Sequence, residues 1–209
     1  MSIERRNLVG EGLEIRQDGG KTTLVGYAAR FHDPTDKGTE YELWPGLSER
    51  VSPTAFDAML GNPDSDVVGL FNHSMDHLLG RRSAGTMRLS KDARGLRYEI
   101  DLPDTASGRD VKTLAERGDL KGSSFSFRSK PNGKRDERQQ DGTTHRWLTD
   151  LEVFDVGPVT IPAYKGTTAG MRAVQVSDEE RKTWEAAESA ERVRLHKLAK
   201  IKTEALDIS

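Results

Sequence analysis

A serine hydroxyl attacks a carbonyl only when an imidazole within hydrogen-bond reach takes its proton. Two segments of this chain present those groups. In Gly122-Ser123-Ser124-Phe125-Ser126-Phe127, strand alternation puts Ser123, Phe125 and Phe127 on one face and Gly122, Ser124 and Ser126 on the other. The phenylalanines mark the core side, so Ser124 is expected to face a cleft or solvent, with small neighbours that leave room for a substrate carbonyl. In Phe71-Asn72-His73-Ser74, His73 ends a short apolar run, and a strand end at a sheet rim can offer an imidazole to a cleft. The plainer alternatives are a polar strand face and a surface histidine. His32, His145 and His196 sit in polar surroundings and read as solvated side chains.

An imidazole base needs a group that orients it and stabilises its charged form. Asp150, Glu152 and Asp155 lie in the otherwise apolar stretch from Leu148 to Pro162, where a buried carboxylate needs a partner. Glu152 shares strand parity with Phe154 and Val156, whereas Asp155 shares it with Leu151 and Val153, and parity alone does not choose between them. Metal chemistry is poorly served. His73-Ser74-Met75-Asp76-His77 lacks the histidines at positions 72 and 74 that a zinc hydrolase pattern requires, so neither a metal nor any other cofactor is expected.

Composition narrows the classes further. The 209 residues contain no cysteine, which excludes disulfides and thiolate catalysis. Lys and Arg number 32 against 34 Asp and Glu, for a net charge of -2, and this gives no general attraction to nucleic acid or an acidic membrane. No basic face is interleaved with aromatics as in a nucleic-acid module. The first residues lack a signal-peptide pattern, and no stretch has transmembrane length. Neither a specific nucleic-acid partner nor a membrane is therefore expected.

The elements that must position these side chains are mostly strands. Residues 22–31, 40–51, 67–71, 122–129, 146–151 and 153–161 read as extended, and residues 85–102 read as a hairpin turning at Gly95. Ser52-Pro53 reads as a helix start leading into residues 55–60, and residues 107–117 have helical spacing stopped by Gly118. Residues 130–142 hold Pro131, Gly133, Gly142 and alternating charges, the composition of an exposed loop. The class is α+β, built around a mainly antiparallel sheet or barrel. Residues 1–170 read as the domain and residues 171–209 as a charged tail. Ser177-Asp178-Glu179-Glu180 caps a polar helix there, whose thin apolar stripe would dock, pair with another chain as in a homo-oligomer, or stay loosely attached.

Four stretches together resemble the prohead maturation proteases of tailed bacteriophages, a family distantly related in fold to the herpesvirus assembly proteases. They are Gly26-Tyr-Ala-Ala-Arg-Phe31, Leu70-Phe-Asn-His73 with Leu79-Gly80, Gly118-Asp-Leu-Lys-Gly-Ser-Ser-Phe-Ser-Phe127, and Leu151-Glu-Val through Val159-Thr-Ile-Pro-Ala163. The family pattern is a histidine after a strand, a serine in Gly-x-Ser-x-Gly-Phe and a carboxylate in a Glu-Val-Ser-x-Val-type strand. It falls here on His73, Ser124 and Glu152. Ser126 stands where that pattern has glycine, and Phe154-Asp155 replaces its small residue, leaving Asp155 as a rival third member.

The resemblance implies a herpesvirus-protease-like β-barrel core with surrounding helices. It also implies a serine endopeptidase that cuts scaffold or major capsid protein segments inside the assembling procapsid, in the host bacterial cytoplasm, often with self-cleavage. Backbone amides, or Arg81 or Arg82 by analogy with the herpesvirus enzymes, would supply the oxyanion site. The rival reading is a capsid-assembly or scaffolding protein that keeps the protease fold without activity.

Overall fold

Alternation of apolar and polar side chains dominates the chain, and strands follow from it. The structure, a computed structural model, describes residues 3–9 and 13–160 and the single position 186. The first strands are β1 (Glu4–Val9), β2 (Glu14–Asp18), β3 (Lys21–Arg30), β4 (Glu40–Trp44) and β5 (Leu47–Val51), followed by helix α1 (Asp57–Gly61). Next come β6 (Val68–Leu70), β7 (Leu78–Arg81), β8 (Met87–Lys91), β9 (Gly95–Asp101) and helix α2 (Ala106–Glu116). The last are β10 (Gly122–Ser129), β11 (Lys134–Arg138), β12 (Thr144–Leu148) and β13 (Leu151–Val159).

The strands form three sheets, in the orders β1-β10-β13-β6-β7, β11-β12-β5-β4 and β2-β3-β9-β8. Most pairings are antiparallel, as expected; β13 with β6 and β12 with β5 are parallel. The expected barrel does not form among the described residues. β1 and β7 each keep an unpaired edge, as do the outer strands of the other two sheets, so no ladder closes on itself. What unites the sheets is side-chain packing. Leu24, Ala28, Tyr98 and Ile100 from β3 and β9 share one buried cluster with Phe125, Phe127, Val153 and Val156 from β10 and β13. The Phe125 and Phe127 rings stack with centroids 5.1 Å apart, and Phe56 meets Phe125 edge-on at 6.0 Å.

Three local expectations are corrected. Ser52-Pro53 opens a turn rather than the helix, and α1 starts at Asp57. The backbone bonds before it are of the i to i+3 turn type, from the Ala55 amide to the Ser52 carbonyl and from the Asp57 amide to the Thr54 carbonyl, and the Ala55 carbonyl is engaged by the Leu151 amide at 2.9 Å. The 130–142 segment is not a free loop, because β11 pairs with β12. Its alternating charges find partners there: Arg146 binds Asp136, and the Trp147 indole donates to Glu137. Finally, Glu4–Val9, not read as a strand, joins β10 along its whole length. Its apolar content is low because Arg6, one of its buried residues, is satisfied by ions instead. The charged tail expected over residues 171–209 lies, apart from position 186, outside the described residues.

Candidate active site

Ser124 is delivered by β10 and His73 by the turn that leaves β6. The expected faces are correct: Phe125 and Phe127 are fully buried in the core, and Ser123, on their side, hydrogen-bonds the Tyr98 hydroxyl at 2.7 Å. Ser124 lies on the opposite face but is fully buried rather than open. The His73 ring reaches it, with Nε2 2.5 Å from Ser124 Oγ. Strand β1 borders it on the other side, where the Arg6 carbonyl lies 3.1 Å from Ser124 Oγ, a second acceptor within reach of the single hydroxyl proton that His73 Nε2 takes in the reaction.

The His73 turn is held in an uncommon backbone state. Asn72 and His73 both have positive φ, 54° and 56°, a left-handed conformation that Asn tolerates better than most residues and that costs roughly 1–3 kcal/mol per residue. The Asn72 side chain holds it there. Its Oδ1 accepts from the Thr160 amide at 2.8 Å and its Nδ2 donates to Thr160 Oγ at 2.8 Å, while the Asn72 backbone N–H donates to the Pro158 carbonyl at 3.1 Å. The start of the turn is thereby tied to the end of β13 and to the residue that follows it.

Gly157 pairs with Ser124 across β10 and β13. A Cβ on Gly157 would stand 2.0 Å from the Leu70 carbonyl oxygen. Only glycine therefore lets β6 approach closely enough for the following turn to reach across to Ser124.

The third group is Asp155. His73 Nδ1 hydrogen-bonds Asp155 Oδ1, and Ser126 Oγ donates to Asp155 Oδ2. Of the expected site residues, the structure brings His73 and Ser124 together and leaves Glu152 out. The Glu152 side chain is 49% exposed and pairs with Arg128 at 3.6 Å. A bulge explains the difference. Phe127 lies opposite Val153 and Ser126 opposite Asp155, so Phe154 is an extra residue between the two pairs. Regular alternation would have put Asp155 on the core side with Leu151 and Val153; the extra residue rotates it onto the Ser124 face. Glu152 is on that face too, but opposite Arg128, beyond the reach of the turn. Parity misses this because a bulge resets it, and no residue type in Val153-Phe154-Asp155 signals a bulge. Asp150 lies outside β13 and is paired with Lys130 at 3.5 Å.

The remaining candidates have other tasks. Arg82 donates to the Met59, Leu60 and Ser65 carbonyls at 2.9–3.1 Å, closing the last turn of α1, and Arg81 pairs with Asp66 at 2.7 Å. His77 is hydrogen-bonded to Ser107 at 2.9 Å. His32 and His145 are half-buried rather than solvated. His32 packs edge-on against Trp147, and its pKa is pushed down by burial and by nearby Arg50. His145 Nε2 is 3.2 Å from the Arg50 guanidinium. His196 lies outside the described residues.

The arrangement is an unbroken relay of hydroxyl, imidazole and carboxylate in the order needed to deprotonate a serine for acyl transfer. A family model described as Caudovirus prohead serine protease matches residues 11–182 of the chain. No curated protein and no solved structure matches it.

Proposed function

Because the chain belongs to the caudovirus prohead serine protease family, we propose that it is the serine endopeptidase of procapsid maturation, with Ser124 as nucleophile, His73 as base and Asp155, not Glu152, as the orienting carboxylate. Ser124 Oγ attacks the scissile carbonyl while His73 Nε2 takes its proton. His73 returns that proton to the leaving amine, and water then repeats the sequence on the acyl-enzyme. Asp155 keeps the Nδ1 proton in place, so that Nε2 is the free acceptor, and stabilises the imidazolium. Arg81 and Arg82 are spent elsewhere, so backbone amides are the source of oxyanion donors. The substrates are scaffold or major capsid protein segments inside the assembling shell in the host cytoplasm, and residues 171–209 are an appendage that directs the enzyme there.

The observation that carries this reading is the Ser124–His73–Asp155 relay, assembled from three separated segments. A catalytically silent assembly protein has no use for a left-handed histidine turn clamped over a serine. Co-expression with a caudovirus major capsid protein, followed by mass measurement of that protein, tests it. The wild-type chain should shorten the capsid protein and Ser124→Ala should not. Equal processing by both would end the assignment.

A further inference from the structure

A carboxylate that serves an imidazole must hold one rotation. The terminal torsion of aspartate is broad and two-fold, so a single bond from His73 leaves Asp155 free to swing. Burial sharpens the problem: the Asp155 side chain is 8% exposed, and each oxygen without a donor carries a desolvation penalty. One oxygen is taken by His73 Nδ1. The other takes the hydroxyl of Ser126, itself buried at 2% exposure and directly opposite Asp155 across the two strands. An ionised carboxylate only accepts, so the single Ser126 proton is committed to it.

We propose that Ser126 is a positioning residue for the reaction, fixing the Asp155 carboxylate so that Oδ1 stays aligned with His73 Nδ1. The site is then a relay of four groups, in which Ser126 and Asp155 form a cross-strand pair brought into register by the bulge at Phe154. Ser126 touches neither substrate nor reacting atoms and acts only through Asp155. It is also distinct from Ser123, whose hydroxyl is bound to Tyr98 on the opposite face. The inference rests on the triad reading above.

Two readouts test it: the downfield proton resonance of His73 Nδ1, and the pH-dependent rate at which a fluorophosphonate probe labels Ser124. The wild-type chain should show the resonance, His73→Ala should lack it, and Ser124→Ala should not label. Ser126→Ala should shift or broaden the resonance and slow labelling about tenfold, the effect of one lost bond to a buried charge, at a similar melting temperature. Ser126→Thr keeps the hydroxyl and should restore both. If Ser126→Ala leaves resonance and rate unchanged while Ser124→Ala is inert, positioning by Ser126 is refuted and the triad stands. If Ser126→Thr is impaired as severely as Ser126→Ala, packing rather than the hydroxyl matters, and the inference is likewise overturned. A wild-type chain with no such resonance, or a Ser124→Ala chain that still labels, would overturn the triad itself.

Discussion

At the scale of single residues, two carboxylates three positions apart have opposite fates. Glu152 is held by a half-exposed arginine in a contact of little energetic weight, and Asp155 is buried against an imidazole and a hydroxyl. Asp155→Asn should therefore cost catalysis heavily, because an amide cannot hold the Nδ1 proton and permits the wrong tautomer. The expected loss of rate is on the order of 10³–10⁴. Glu152→Gln should change the rate by no more than about threefold, the scale of a surface ion pair. Single-turnover cleavage of a capsid-derived peptide by the two variants checks this, and the reverse ranking would return the third role to Glu152.

Elements decide whether these residues meet. The parallel pairing of β13 with β6 is short, Asp155 with Val68 and Val156 with Gly69, yet the histidine turn departs from it. Close approach there depends on Gly157, since any side chain collides with the Leu70 backbone. Gly157→Ala should cost roughly 1–3 kcal/mol of stability, the range for overpacking a close contact. It should also lose nearly all activity even at temperatures where the variant remains folded, because β6 and His73 are displaced together. Thermal unfolding paired with fluorophosphonate labelling at low temperature separates the two effects. A folded, fully reactive Gly157→Ala chain would mean that the strands can part without moving His73.

At the scale of the whole molecule, the sheets are joined by ions as well as apolar packing. The buried Arg6 guanidinium of β1 binds Glu49 of β5 at 2.5 and 2.9 Å and Glu4 at 2.8 Å, over the face of Phe127. Lys134 of β11 closes the group on Glu4 at 2.8 Å. Burial pushes the Glu4 carboxyl up, but Arg6 and Lys134 outweigh it and hold the group below its ordinary value. On the third sheet, hydrogen bonds from Arg88 hold Asp101 far below the usual carboxylate range, against a smaller opposing effect of burial. A depressed carboxyl stabilises the fold fully above its unfolded value, near pH 4, and that contribution fades as pH falls through the lower folded value. The melting temperature should therefore be level from neutral pH to about 5 and fall steeply below about 4. Arg6→Met should lower it at every pH, since Glu49 would be left buried and unpaired at a cost of about 3–5 kcal/mol. Melting curves from pH 7 to 3 for both proteins test this; a wild-type curve that stays flat to pH 3 would contradict it.

Alternation in residues 122–129 was enough to place Ser124 and the two phenylalanines on opposite faces, because strand parity is a property of local backbone geometry. The apolar run before Asn72 likewise put His73 at a strand end, and the order of short motifs identified the family. Absence of cysteine removed whole classes of chemistry without any structure. Only the fold decided the rest. The bulge at Phe154 arises from how β13 registers on β10, and it turned Asp155 toward His73 while leaving Glu152 with Arg128. The strand at Glu4–Val9 and the pairing of Lys134–Arg138 were hidden because partners of their charges lie on other strands: Glu49 for Arg6, Glu4 for Lys134 and Arg146 for Asp136. Parity, capping and composition act between neighbours; bulges, sheet closure and buried ion pairs depend on which distant segments come together.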